Sequence, residues 1–563
     1  MGKTVIIGGV AAGASCAARL RRLKEDEKIV LFEKGEYISY ANCGLPYHVG
    51  GVIENRADLL VTKKEIMQAR YAVDVRNNSL VASIDRTAKT VHVIEKSGKA
   101  YDESYDTLVI ATGSSPLRPN IPGIESERVK TLWTVPDTDE IKRFIKDNNA
   151  SSVTVVGGGF IGLEMAENLH HLGLKVSIVE AADQVMAPLD YEMALLLHET
   201  IRDHGVELIL GNGVDSFQDT GKGITIRLSD GKELSSDLVI LSIGVRPNSQ
   251  LAKDAGLPIN GRGGIVVDEQ MKTADPAIYA AGDVVEVTDF IFGDKTMVPL
   301  AGPANKQGRI VADNIAGIPS TYKGTQGSSI AKVFDLAAAT TGANEKTLNR
   351  KGLVRDKDYK SVVISQNSHA GYYPGAEPLI LKLLFSADGK KIYGGQIVGK
   401  GGVDKRIDTL GTAIRFGAAV DDLTHMELAY APPFSSGKDP VNMVGYVAEN
   451  VLNGLMTFSE WNVLETNPDA VVLDVREMPE LKMFAFEGAK HIPLGQLRNR
   501  LGELDKTKTY IIFCAAAVRA YNAYRILVQN GFENARIYPA GIRFYISTHR
   551  DSDTVKNAFA SKC

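Results

Sequence analysis

Four cysteines are scattered along the 563 residues, Cys16, Cys43, Cys514 and Cys563, and two stand where a thiol can react. Cys43 lies in Ser39-Tyr40-Ala41-Asn42-Cys43-Gly44-Leu45-Pro46-Tyr47, which reads as the start of a helix. Free backbone N–H groups and the helix dipole there would favour the thiolate. Cys514 ends the apolar strand Tyr510-Ile511-Ile512-Phe513 and is followed by Ala515-Ala516-Ala517-Val518-Arg519 and a helix through Val528. Loop N–H groups at that helix start would hold a thiolate or persulfide. No C-x-x-C pair occurs, so neither a disulfide scaffold nor a structural zinc site is supported. A single thiolate cannot store two electrons as an internal disulfide. Its oxidised form is therefore a mixed disulfide with a small thiol or a sulfenic acid.

The elements that must position these thiols announce themselves as a repeat. Thr4-Val5-Ile6-Ile7 runs into Gly8-Gly9-Val10-Ala11-Ala12-Gly13 and a small-residue helix, and a second strand, Ile29 to Glu33, follows, with Lys34 after it. Val153-Thr154-Val155-Val156 runs into Gly157-Gly158-Gly159-Phe160-Ile161-Gly162, a helix through His170, and Lys175 to Glu180. Each copy has the strand, glycine turn, helix, strand and terminal acid of a dinucleotide site, with Glu33 and Glu180 expected on an adenosine ribose. The first copy departs from G-x-G-x-x-G in carrying Val10 at the middle glycine. No arginine follows Glu180 in Ala181-Ala182-Asp183, which favours NADH over NADPH, since a carboxylate bonds a free 2′-hydroxyl and repels a phosphate.

Length and composition are those of a soluble protein of roughly three to five domains. The chain exceeds the size of one hydrophobic core, is 44% hydrophobic and 23% charged, contains 54 glycines and has a net charge of -4. That charge gives no basic field for nucleic acid. The apolar run at the N-terminus breaks into glycine too soon for a signal peptide or membrane span, so a cytoplasmic protein with no membrane partner is expected.

Three further apolar runs, Tyr105-Asp106-Thr107-Leu108-Val109-Ile110-Ala111-Thr112-Gly113, Leu238 to Gly244, and Ile278-Tyr279-Ala280-Ala281-Gly282-Asp283, resemble the signature strands of the pyridine nucleotide disulfide oxidoreductase superfamily. The resemblance, over residues 1 to about 450, implies an α/β fold with two Rossmann-like domains. An FAD domain (1–113 and 246–323), with Asp283 on the flavin's ribityl chain, encloses an NAD(P)H domain (114–245) and precedes an α+β dimerisation domain (327–451), so a homodimer is expected. Cys43 stands where this superfamily places its redox thiol against the flavin. Tyr47 replaces the second cysteine of the two-cysteine reductases, and the first glycine turn lacks the histidine of NADH oxidases and peroxidases, which favours mixed-disulfide chemistry.

Ser39-x-x-x-Cys43 with Asn42, and the first glycine turn through Ser15, resemble coenzyme A disulfide reductases. By position this implies CoA contacts at Ser15, Arg19, Arg22, Ser39, Asn42 and Lys438. Arg19 and Arg22, spaced i, i+3, share a helix face suited to CoA phosphates. Tyr372, or its neighbour Tyr373, and Tyr430 resemble the two active-site tyrosines that the partner subunit supplies. From about Phe458, the segments Ala470 to Glu477, Gly488 to Leu494 and Tyr510 to Arg519 resemble rhodanese domains (458–563), with Cys514 and Arg519 at the active loop, although Ala517 and Ala540 stand where glycines are usual. The implied activity is FAD-dependent reduction by NADH, or NADPH, of CoA disulfide, CoA persulfide or a related small persulfide or polysulfide, with a sulfur-carrying domain attached. The alternatives are a sulfenic-acid NADH oxidase or peroxidase and a redox sensor with a docking domain.

Overall fold

The two apolar runs that precede glycine become the central strands of two parallel sheets. In this computed structural model, which describes residues 2–560, Lys3–Ile7 lies between Lys28–Phe32 and Thr107–Ile110, with Asp74–Arg76 and Ile278–Ala280 at the edges. All four pairings are parallel, and Ile6 faces Leu31 on one side and Val109 on the other. Side chains on both faces of these strands are buried, the pattern of a parallel sheet covered by helices on both sides. Cys563 lies outside the described residues.

The second sheet repeats the plan. Ser152–Val156 lies between Lys175–Val179 and Leu238–Leu241, with Glu207–Ile209 and Val129–Lys130 outermost. The chain leaves the first sheet and returns to it through Ser114–Pro116 and Val245–Pro247, which pair antiparallel. Next to this crossing, Thr112 Oγ1 donates to Asn248 O at 2.7 Å and Asn248 Nδ2 donates to Thr112 O at 2.9 Å. These bonds end the long apolar run from Tyr105, which pairs as a strand only over Thr107–Ile110.

The chain forms two compact units, Met1–Asp183 with Val206–Gly327 and Gln184–Gly205 with Ser328–Cys563. The second is built on a five-stranded antiparallel sheet in the order Ser329–Val333, Leu336–Gly342, Ile392–Gly399, Pro378–Ser386, Tyr359–Asn367. It also contains a parallel sheet of Lys490–His491, Val471–Asp474, Tyr510–Phe513 and Ala535–Ile537. Helix Tyr191–Asp203 groups with this unit although it lies within residues 114–245. No helix among the described residues is long and apolar enough to cross a membrane.

A buried charge cluster explains that grouping. Lys382, in the middle of a core strand and 1% exposed, pairs with Asp190 at 2.9 Å, with Glu345 at 3.1 Å and with Glu192. Gln396 Nε2 completes the cluster by donating to Asp190 at 2.6 Å. Burial alone would drive the proton off this ammonium, but the three carboxylates outweigh it and hold the pKa above the ordinary value. Removing the cation leaves Asp190 and Glu192 buried without it, and Glu345 with Arg355 at 3.7 Å as its remaining ion pair. Lys382→Met is expected to destabilise the second unit by about 3–5 kcal/mol, read as an earlier urea midpoint. A loss under about 1 kcal/mol would contradict this account of the cluster.

Candidate functional site

Each glycine turn is forced by backbone meeting backbone. Gly8 has φ +103°, and a Cβ there would lie 2.2 Å from the Ala111 carbonyl oxygen; a Cβ on Gly13 would lie 1.8 Å from Gly8 O. The second copy reproduces this: Gly157 has φ +111° and would meet Ser242 O at 2.4 Å, and Gly162 would meet Gly157 O at 1.9 Å. Only glycine permits such conformation and approach. The middle position behaves differently. A Cβ on Gly159 would meet nothing within 4 Å, so its missing side chain leaves space that the protein does not fill. Val10 has a negative φ of -98°, so the position does not require glycine's left-handed freedom.

The terminal acids are held identically. Glu33 accepts from Gly9 N at 2.9 Å and Gly35 N at 2.8 Å. Glu180 accepts from Gly158 N at 2.6 Å and Ala182 N at 2.8 Å. Both carboxylates thus sit across a glycine turn at a strand end, where a ribose 2′-hydroxyl is recognised. Lys34 beside Glu33 is exposed, while Phe160 and Ile161 open the second helix half-buried. Gly113, Gly244 and Gly282 all take positive φ, and Gly282 lies against Ala12. Asp283 accepts from Ser114 Oγ at 2.9 Å, and burial raises its pKa. Two glycine turns at strand ends, each with its acid and N–H groups, fit two dinucleotides; the open space at the middle glycine belongs to the second turn, while Val10 stands there in the first.

The Cys43 loop hangs from the first turn. Ser39, at φ +45°, donates its N–H to Gly9 O at 2.8 Å, and Asn42 Nδ2 donates to Trp133 O at 3.4 Å. Cys43 is exposed on the short turn Asn42–Gly44, which leads into helix Leu45–Val49. The expected stabilisation of its thiolate is not what this setting provides. Desolvation, followed by the charges of Glu164 and Asp283, raises the pKa of Cys43, and so short a helix offers little opposing dipole. Glu164 escaped the sequence reading. It lies on helix Phe160–His171 and accepts from Tyr47 Oη at 3.3 Å; burial lifts its pKa to about 7. The available signal was Tyr47 itself, a phenol at the position of the missing second cysteine.

The residues expected on CoA are dispersed among protein partners. Ser15 Oγ donates to Asn305 Oδ1 at 2.6 Å, and Arg19 Nε donates to Asp313 Oδ1 at 2.8 Å. Arg22 turns instead to Tyr71, donating to its hydroxyl at 3.0 Å and lying 5.1 Å from the ring centroid. The two arginines therefore do not present a shared pair of unengaged cations. Lys438 is exposed.

In the second unit, Tyr372 and Tyr430 share a hydrogen bond of 2.6 Å, and both are exposed. Tyr373 packs edge-on against His369, with ring centroids 5.6 Å apart. Cys514 is buried and its Sγ accepts from Ala520 N at 3.3 Å. Ala517 takes φ +67° and Ala540 φ +53°, so the loop keeps left-handed positions without glycine at a cost of roughly 1–2 kcal/mol each. Gly541 is obligatory, since a Cβ there would lie 2.6 Å from Cys514 O. Arg519 is held by Glu480 through bonds of 2.5 and 2.6 Å. Glu480 too was missed, being 39 residues from its partner.

Comparison with known proteins agrees with this architecture. Residues 2–308 match the pyridine nucleotide-disulphide oxidoreductase family, 328–439 its dimerisation domain and 461–547 the rhodanese-like domain. The coenzyme A disulfide reductase of Staphylococcus epidermidis is 36% identical over 451 residues, 80% of this chain and all of that protein. The reduced CoADR-RHD of Bacillus anthracis aligns over 98% of both chains at 47% identity with a TM-score of 0.94. The NAD-dependent persulfide reductase of A. fulgidus covers 96% of this chain and 99% of its own at 38% identity, TM-score 0.91. The chain belongs to the pyridine nucleotide-disulphide oxidoreductase family and carries a rhodanese-like domain after its dimerisation domain.

Proposed function

We propose that the protein is a homodimeric, NADH-dependent reductase of CoA disulfide, CoA persulfide and related small persulfides or polysulfides, working through the single thiol of Cys43 and carrying sulfane sulfur on Cys514. The observation that carries this reading is that Tyr47, bonded to Glu164, occupies the place of a second cysteine. With no second cysteine there, the oxidised state of Cys43 is a mixed disulfide with an external thiol or a sulfenic acid, and the first is the form adopted in this reading. The relatives are named for CoA disulfide and for persulfide.

In this reading residues 1–113 and 246–323 hold FAD through Gly8, Gly9, Ala12, Gly13, Glu33, Lys34, Ala111, Thr112, Gly113, Gly282 and Asp283. The antiparallel crossing at Ser114–Pro116 and Val245–Pro247 supports that division. Residues 114–245 hold NADH through the second glycine turn, Glu180 and Gly244. FAD, when bound, supplies the two-electron link between the nicotinamide and the sulfur centre. Residues 327–451 dimerise; the exposed, hydrogen-bonded pair Tyr372 and Tyr430, with Phe434 also exposed, suits a subunit contact. From there the phenols would protonate a departing thiolate.

The chain's own chemistry is nucleophilic. The Cys43 thiolate attacks one sulfur of CoA disulfide, the S–S bond breaks, and CoA leaves as thiolate with the bonding pair. With CoA persulfide, attack at the CoA-bearing sulfur forms the same mixed disulfide and expels hydrosulfide. Ser15, Arg19, Arg22, Ser39, Asn42 and Lys438 would position CoA, with Arg19 and Arg22 exchanging their present partners for its phosphates.

Three outcomes test the reading. In anaerobic NADH oxidation with CoA disulfide, CoA persulfide, polysulfide or peroxide, turnover with the sulfur substrates should release stoichiometric thiol or sulfide and fall at least ~1,000-fold in Cys43→Ser; faster turnover with peroxide would overturn it. NADH should exceed NADPH in kcat/KM by about tenfold or more, and NADPH preference would sink the role given to Glu180. The third concerns pH. Glu164 ionises near 7 and then opposes the Cys43 thiolate, so alkylation of reduced Cys43 should rise over a stretched pH range. Glu164→Gln should compress that rise and move it to lower pH, with alkylation about two- to tenfold faster near neutrality. Superimposable profiles would contradict the coupling.

A further inference from the structure

The loop that begins at Cys514 is apolar until its last residue. Ala515, Ala516, Ala517 and Val518 carry no charge, so Arg519 is the loop's one cation. A free sulfur oxyanion such as thiosulfate, a dianion, needs positive charge beside the nucleophile that attacks it. Arg519 brings little net charge there, because each of its two terminal nitrogens donates to an oxygen of Glu480 in a bidentate pair.

Glu480 is held in place by more than Arg519. Its Oε2 also accepts from Glu477 N at 3.0 Å, and its carbonyl accepts from Arg476 NH1 at 3.4 Å. Arg476 is buried, paired with Asp474 at 2.6 Å, and donates to Phe484 O at 2.8 Å. The turn bearing Glu480 is thus anchored in the core beside the Cys514 strand, which pairs with the strand containing Asp474. The bond from Arg519 holds the Glu480 carboxyl down at about 2, so the neutralising charge persists throughout the physiological range. The other charges on this turn, Glu477 and Lys482, are exposed and of opposite sign. Around the ion pair the surface is oily: Met478 is 66% exposed, Met483 58% and Val518, next to Arg519, 58%.

We infer that Glu480 sets the donor specificity of Cys514: by neutralising Arg519 it rejects free sulfur oxyanions and leaves an apolar mouth that accepts a persulfide borne on an aliphatic thiol. The inference rests on the reading of Cys514 as a sulfane-sulfur carrier. The step it governs is R–S–SH + Cys514–S⁻ → R–S⁻ + Cys514–S–SH. Cys514 attacks the outer sulfur, the donor S–S bond breaks, and the thiol leaves as thiolate with the bonding pair. The uncharged part of R next to the sulfur lies along Met478, Met483 and Val518 and the transferred S–H enters neutral, so the donor brings no charge to Cys514; in CoA persulfide the phosphates stand at the far end of the pantetheine arm. Thiosulfate would undergo the same displacement with sulfite leaving, but must bring two negative charges to a loop whose cation is already paired. Glu480 is accordingly a specificity-determining residue that acts through Arg519.

The test uses the full-length flavoprotein and measures thiocyanate formed from cyanide, with CoA persulfide or thiosulfate as donor, in wild type, Glu480→Gln, Glu480→Asp and Cys514→Ser. Wild type should favour CoA persulfide by about a hundredfold or more in kcat/KM. Glu480→Gln, which can still bond Arg519 but no longer cancels its charge, should lower KM for thiosulfate and narrow the ratio at least ~10-fold. Glu480→Asp, which restores the charge, should keep the wild-type ratio. A merely structural role would depress both donors together and leave the ratio where it was. NADH-dependent reduction of CoA disulfide, which does not use Glu480, reports that each variant is folded. An unmoved ratio in Glu480→Gln, or wild-type use of thiosulfate equal to CoA persulfide, overturns the inference while a dead Cys514→Ser preserves the carrier reading. If Cys514→Ser transfers sulfur as well as wild type, the carrier reading falls and this inference with it.

Discussion

Two close approaches of backbone to backbone, Gly13 against the Gly8 carbonyl and Gly162 against the Gly157 carbonyl, set the geometry on which the first unit depends. Each brings a helix start down onto the end of a parallel strand, so that N–H groups face outward at the strand's carboxyl end. Each also fixes the place of the next strand's acid, Glu33 or Glu180, whose oxygens bridge the glycine turn and the residue just beyond the strand. The Cys43 loop is an outgrowth of the same constraint, because Ser39 is tied to the Gly9 carbonyl and Cys43 follows four residues later. A side chain at Gly8 or Gly13 would disturb the nucleotide turn and the thiol loop together.

The thiols themselves occupy unlike settings. Cys43 is open at the surface but surrounded by acid, with Glu164 and Asp283 opposing its ionisation. Cys514 is enclosed by its loop, with a backbone N–H directed at the sulfur and its nearest cation already paired. Exposure leaves Cys43 open to an external disulfide, while the raised pKa restricts the fraction of attacking thiolate, so its reactivity depends on the charge of Glu164 and Asp283. An enclosed sulfur under an apolar rim suits a group that must be kept from water while it waits for an acceptor. The raised pKa of Cys43 comes from desolvation and then from acids distant in sequence, Glu164 and Asp283, and the pairing of Arg519 beside Cys514 comes from another, Glu480.

That distinction explains what was legible in the sequence. Both glycine turns, their strands and their acids could be read because each lies within about thirty residues and obeys a fixed spacing. The strand before Cys514 and the helix after it were equally plain, and the observed elements, Tyr510–Phe513 and Val518–Gln529, follow that reading closely. The partners of the candidate residues could not be read. Arg19 and Arg22 share a helix face by spacing, yet Arg19 is claimed by Asp313, 294 residues away, and Arg22 by Tyr71. Nor does any local pattern reveal that helix Tyr191–Asp203 groups with the second unit, because the reason is a lysine in a strand nearly two hundred residues later. The elevated pKa of Cys43 was hidden for the same reason: its helix-start signal is local, whereas Glu164 comes from the second glycine helix.

The central claim is that Cys43 cycles through a mixed disulfide with an external thiol. Intact-mass and peptide mass spectrometry on NADH-reduced protein, quenched in acid after one equivalent of CoA disulfide under anaerobic conditions, tests it most directly. The account predicts CoA attached to the Cys43 peptide, lost when a further equivalent of NADH is added. Cys43 recovered as an unmodified thiol, or as a sulfenic acid with no CoA attached, would contradict it.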